Sequence, residues 1–133
     1  MLTQTIFKRA FWVLALTGVL NWFSTKLYLY WTVWWIDMVV HFFGGLTVGL
    51  AVMWLCSYGM DFKNWSLKKI LTFSVIGSLL VGVMWELYEL YFGITLLRDG
   101  MVYWIDTSSD LLMDMVGGIF GFLYVSRLLK KYK

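Results

Sequence analysis

The sequence predicts an all-α, polytopic membrane protein: a bundle of four transmembrane helices with both termini in the cytoplasm. Three observations carry that prediction. The chain is 61% hydrophobic, only 14% charged and free of proline, whereas soluble domains carry about 25% charged residues. Four apolar segments each approach the ~20 residues that a helix needs to cross hydrocarbon. The basic residues are also unevenly placed. Nine of the eleven Lys and Arg, namely Lys8, Arg9, Lys63, Lys68, Lys69, Arg127, Lys130, Lys131 and Lys133, fall on one side, leaving Lys26 and Arg98 on the other. An excess of Lys and Arg marks the cytoplasmic side of a membrane protein.

The first span runs from Phe7 to Ser24. Lys8 and Arg9 before an apolar run mimic a signal peptide, but no small-x-small cleavage site follows, so the helix is read as retained. Thr17, Asn21 and Ser24 share a face that can hydrogen-bond a neighbouring helix. The aromatic joint from Tyr28 to Trp35 belongs at a membrane surface, where a ring and its polar tip both find a match. The second span runs from Val33 to Tyr58 and carries Asp37, then His41 one turn later. Gly44 and Gly45 follow, and Gly45-xxx-Gly49 admits a close neighbour.

A polar loop that includes Asp61 leads to the third span, Ile70 to Leu97. Ser78, Gly82, Glu86, Glu89 and Gly93 fall on one stripe at about 100° per residue. Arg98-Asp99-Gly100 reads as its stop, with Asp99 a turn residue. The fourth span runs from Asp106 to Leu129, with Asp106 in the role of helix N-cap, and ends in a basic tail. No heptad run, repeat, low-complexity tract or alternating strand pattern is present, and 1–133 reads as one domain. Cys56 reads as a small buried hydrophobe. The net charge of +3 does not point to nucleic acid, because the basic residues flank apolar segments.

The chain is organised around Asp106-xxx-Asp110-xxx-Asp114, which runs into apolar helix. An Asp at a helix centre costs about 2.5–3.5 kcal/mol to insert, so something must sit opposite these residues. The predicted orientation places six of the eight acids in the outer halves of three spans: Asp37, Glu86, Glu89, Asp106, Asp110 and Asp114. The single histidine joins them. No Lys or Arg is buried alongside, so protonation, water or bound cations must compensate. Asp37-xxx-His41, Glu86-xx-Glu89 and Asp110-xxx-Asp114 each set two ligands on one helical face, as in dinuclear carboxylate bundles. Oxygen-rich ligation with one imidazole suits Mg, Mn, Zn or Fe. The expected divalent-metal ligands are therefore Asp37, His41, Glu86, Glu89, Asp110 and Asp114, with Glu86, Glu89 and Asp110 as catalytic carboxylates. His41 alone fits a hydrogen-bonded core histidine; its acidic company favours a metal or proton role.

The same residues resemble a known family. Asp37-xxx-His41-Phe42, Gly82-xxx-Glu86-xx-Glu89 and Asp110-xxx-Asp114-xx-Gly117 are similar to the motifs of VanZ-like membrane proteins. Trp85-Glu86-xx-Glu89 with a second Asp in the last span resembles the YjdF type most closely. The usual VanZ-like pattern has Gln near Glu89 and Asn near Asp114. The likeness covers roughly residues 34–125. It implies an inner-membrane protein of the cell envelope, in a family associated with glycopeptide resistance, and leaves the chemistry open.

Three functions are compatible with these residues. The first is a metal-dependent hydrolase or transferase acting on a lipid or lipid-linked headgroup, the metal activating water or polarising an ester; no Ser or Cys nucleophile elbow accompanies it. The second is cation or proton transport. The apolar inner half, with Val52, Met53, Leu55, Ile119, Phe120 and Phe122, leaves no path across unless the chain forms a homo-oligomer. The third is a structural or regulatory subunit with protonated acids.

Overall fold

Long helices separated by short turns make up the computed structural model, which describes residues 1–59 and 62–132. In chain order they are α1 (Leu2–Lys26), a four-residue turn of helix α2 (Leu29–Thr32), α3 (Ile36–Gly59), α4 (Leu67–Phe92) and α5 (Met101–Tyr132). Single 3-10 turns at Phe62–Asn64 and Leu97–Asp99 lie in the last two connections, and the described residues contain no strand. The placement of Asp61 in a loop and of Lys133 in the basic tail lies outside the described residues.

Among the described residues, three helices are long and apolar enough to cross a membrane, through Ile36–Tyr58, Leu67–Phe92 and Met101–Lys131. The sequence predicts four. α1 is long enough at 25 residues, but Lys8, Arg9, Asn21 and Lys26 dilute it below the apolarity of the other three.

Every helix end differs from its predicted position, for local reasons. α1 begins at Leu2 and not at Phe7, because long Lys and Arg side chains can lie along a helix without ending it. The second predicted span starts late: the aromatic joint before it holds Tyr28 in a left-handed conformation at φ 56° and then the turn α2, and α3 starts only at Ile36. α4 begins at Leu67, where the Ser66 hydroxyl accepts a hydrogen bond from the Lys69 amide at 3.2 Å, an N-cap that replaces a missing intrahelical bond. The largest correction is at its far end. Gly93, at φ 67°, terminates α4, with Ile94 N–H donating to the Glu89 carbonyl and Gly93 N–H to the Leu90 carbonyl. This is a Schellman closure, so Gly93 is a cap and not part of the Glu86–Glu89 stripe. Arg98-Asp99-Gly100 does not end that helix; Asp99 lies in the 3-10 turn that follows. α5 starts at Met101, which places Asp106 well inside the helix and overturns its reading as an N-cap.

The helices run up and down, and the bundle has two unlike ends. One end is dry: Leu2, Ile6 and Ala10 of α1 pack with Leu50 and Met53 of α3, Ile70 of α4, and Val125 and Leu129 of α5, closed over by Phe62 and Trp65. The other end holds Asp37, His41, Glu86, Glu89, Asp110 and Asp114. α3 packs against α1, α4 and α5, and shares its most extensive interface with α5.

Small residues make that interface close. A Cβ on Gly45 would fall on the backbone of Asp114, and one on Gly117 on the carbonyl of Phe42. Serine hydroxyls lock the third helix to the seam. Ser78 Oγ donates to the Gly45 carbonyl at 2.8 Å, and Ser74 Oγ to the Gly118 carbonyl at 2.7 Å. α1 attaches more lightly, with Thr17 Oγ1 3.4 Å from Thr47 Oγ1.

Candidate metal centre

His41 stands at the middle of the polar end and is 5% exposed. It lies one turn into α3 from Asp37, so both side chains face the same way. Its two ring nitrogens have different surroundings. Nδ1 lies 3.0 Å from Asp114 Oδ2 on α5. Nε2 faces Asp37 Oδ1 at 3.7 Å and Glu86 Oε1 at 3.9 Å, both beyond hydrogen-bond length. When Nδ1–H donates to Asp114, Nε2 keeps its lone pair directed at those oxygens. A carboxylate that fixes the tautomer and orientation of a histidine in this way is the usual partner of a metal-ligating imidazole.

Glu86 projects from α4 toward the same point. Thr107 Oγ1 of α5 donates to Glu86 Oε2 at 2.6 Å, which fixes the carboxylate and leaves Oε1 facing His41. Glu89, one turn further, accepts from Trp85 Nε1 at 3.0 Å. Asp110 is 2% exposed. Three buried polar atoms here have no hydrogen-bond partner among the described residues: His41 Nε2, Glu86 Oε1 and Asp110 Oδ1. Leaving such atoms unpaired ordinarily costs ~1–3 kcal/mol each.

Among the described residues, the same three form one of three groups whose ligand atoms all lie within 4.8 Å of one another: His41, Glu86 and Asp110. The others are Asp37, His41 and Glu89, and Asp37, Asp106 and Asp110. Ligand atoms bound to one divalent ion at ~2.1 Å stand roughly 3–4 Å apart, so these oxygens and nitrogen fit such an ion with small adjustments. All six residues predicted as ligands therefore come from three helices to one place. Asp114 differs from the rest. It belongs to none of the three groups, and its Oδ2 is already committed to His41. Gly82 makes room for it: a Cβ there would occupy the position of the Asp114 carboxylate.

Three contributors were not legible as such in the sequence. Asp106, read as a cap, joins a ligand group because α5 starts earlier. Thr107 looks like an ordinary helical threonine until α4 is placed beside it. Tyr30 on α2 donates to Asn21 Oδ1 at 2.6 Å; burial first, then the charges of Asp37 and Glu89, hold its phenol above the usual tyrosine range.

A side cavity of about 240 Å³ reaches this centre from between α1, α3 and α4. Its walls are mostly apolar, including Leu14, Val40, Val48 and Val81, and its inner end is His41 and Asp114. Leu14, Gly18, Val81 and Trp85 are exposed at its rim. It opens on the apolar flank of the bundle.

These features describe a multi-pass membrane protein with a buried His and carboxylate cluster. No curated protein and no solved structure matches the chain. The family model described as "Predicted membrane protein (DUF2238)" matches residues 4–131, and the chain belongs to that family.

Proposed function

We propose that the polar end is a divalent-metal centre that acts on the headgroup of a lipid or lipid-linked substrate. The observation that carries this is the convergence of His41 Nε2, Glu86 Oε1 and Asp110 Oδ1: buried, unpartnered and mutually within ligand distance. Protein interiors rarely leave such atoms without partners, and a cation satisfies all three at once. Asp37 and Glu89, which with His41 form a second such group, complete the ligand set, and Asp114 orients His41. The metal would activate water or polarise an ester. Glu86, Glu89 and Asp110 are the carboxylates placed to handle the proton, each fixed or flanked by a neighbouring side chain. Lipid is favoured as the substrate because the side cavity opens laterally from apolar surface and ends on His41.

In this reading α1 is the fourth span. The dry end, where Lys8, Arg9, Lys68, Lys69, Arg127, Lys130 and Lys131 gather, faces the cytoplasm of an inner membrane. The likeness to VanZ-like and YjdF-type proteins supports the same arrangement. The packed dry end also favours a site reached from one side over a conducting path for ions or protons.

Elemental analysis tests the metal. Protein purified without chelator is expected to hold divalent metal close to one equivalent or more per chain. Chelator should remove it and lower the melting temperature, since a ligand at 100 times its Kd stabilises by ~2.7 kcal/mol. Glu86→Gln should reduce the metal content. Metal-free protein with a melting temperature indifferent to chelator would leave protonated acids in a structural role as the reading. With metal established, release of headgroup from phospholipid in detergent separates an enzyme from a binding protein.

A further inference from the structure

A second groove, of about 320 Å³, lies toward the dry end between α1, α3 and α5. Its floor is apolar, formed by Val13, Leu46 and Phe120, and Arg9 and Arg127 close one end. Arg9 Nε donates to Tyr124 OH at 3.0 Å, which sets the guanidinium across the gap between α1 and α5. Both arginines are exposed. Among the described residues neither forms an ion pair, and the buried carboxylates Glu86, Glu89, Asp110 and Asp114 lie at the far end of the bundle. From Arg127 back to Phe120 the groove follows α5 for roughly 10 Å, and Phe120 and Leu123 leave its flank open to lipid.

Two guanidiniums with no ion-pair partner among the described residues, above an apolar trough, match one membrane component: phosphate above hydrocarbon. Arg presents a fork of donors suited to phosphate oxygens, and basic pockets between spans are recurrent sites for anionic headgroups. We propose that this groove binds an anionic phospholipid, its phosphate held between Arg9 and Arg127 and one acyl chain lying on Val13, Leu46 and Phe120. The lipid bridges α1 to α5, which otherwise meet sparsely. The site is separate from the acidic centre and does not rest on the function proposed there.

Native mass spectrometry in detergent, titrating phosphatidylglycerol and phosphatidylcholine separately, tests the proposal. The protein should retain phosphatidylglycerol at least tenfold more tightly than phosphatidylcholine. The double variant Arg9→Gln/Arg127→Gln should lose that preference. Arg127→Gln alone, which leaves the Arg9–Tyr124 bond intact, should lose at least threefold should the double variant fail to fold. Leu123→Trp, which fills the open flank and keeps both charges, should weaken retention severalfold. Equal retention of the two lipids, or an unchanged preference in Arg127→Gln, overturns the proposal. So does displacement of phosphatidylglycerol by equimolar inorganic phosphate, which would make this a site for the free anion.

Discussion

Asp110→Asn should abolish divalent-cation binding, weakening affinity by more than about 100-fold, while Asp114→Asn should weaken it by only ~10–100-fold, the usual effect of losing a carboxylate that supports a ligating histidine. The two residues lie one turn apart on α5 and are both nearly fully buried, so burial does not distinguish them. Their partners do. Asp110 belongs to two of the three ligand groups and has an oxygen with no hydrogen-bond partner. Asp114 belongs to none and holds His41 Nδ1. Isothermal titration with Mn²⁺ or Zn²⁺ into chelated protein measures the difference. The melting temperature in chelator supplies an independent sign. Without a cation, Asp110 is a buried carboxyl beside Asp37, Asp106 and Glu86, with only His41 of opposite tendency, and Asn keeps the shape while removing the cost of burying a charge there. Asp110→Asn should therefore melt higher than the parent in chelator and lower in the presence of metal. Equal affinities for the two variants would mean that Asp110 is not a ligand.

Gly117→Ala should destabilise the bundle by at least ~1–3 kcal/mol, the range for forcing an extra group into a packed interior. The added methyl would meet the carbonyl of Phe42 and the backbone of Gly45 and Leu46, not a side chain that can swing away. Relief requires α3 and α5 to separate. That motion carries Asp114, one turn upstream, away from His41, so cation affinity should fall together with the melting temperature. Gly18→Ala is the control. Nothing lies within 4 Å of a Cβ there, and replacing a helical glycine by alanine ordinarily gains ~0.5–1 kcal/mol. Thermal unfolding in detergent by circular dichroism checks both. A Gly117→Ala variant as stable as the parent would show that the α3–α5 seam is looser than the Gly45 and Gly117 contacts indicate.

Much of the site was legible because chemistry and period agree. An acid inside an apolar segment is expensive wherever its helix ends, so Asp37, Glu86, Glu89, Asp110 and Asp114 stand out without structural detail. The alternation of Lys and Arg then placed them at a common depth. Helix ends were less legible, since aromatic residues report depth and not conformation. Val102-Tyr103-Trp104 looks like an interfacial connection and is the first turn of α5. Two glycines seven positions apart, Gly93 and Gly100, both suit a helix stop, and only the backbone shows that Gly93 ends α4. Sequence spacing aligns Asp106 with Asp110, but a helix start placed at Asp106 makes it a cap, and only the earlier start of α5 at Met101 sets it in a ligand group. The separate parts of Asp110 and Asp114 were also beyond sequence reasoning, because they depend on which nitrogen of His41 each carboxylate meets.

The division of the interior into an apolar end and a charged end has a consequence for how the molecule breathes. Helices α3, α4 and α5 each run through both regions, so one continuous helix should show two hydrogen-exchange regimes. Amides beside Met53, Ile70 and Val125 can exchange only when the whole bundle opens, whereas those near Asp37 and Asp106 can exchange through local fraying. The half that holds the acidic cluster can thus loosen and reclose while the other half keeps the helices in register.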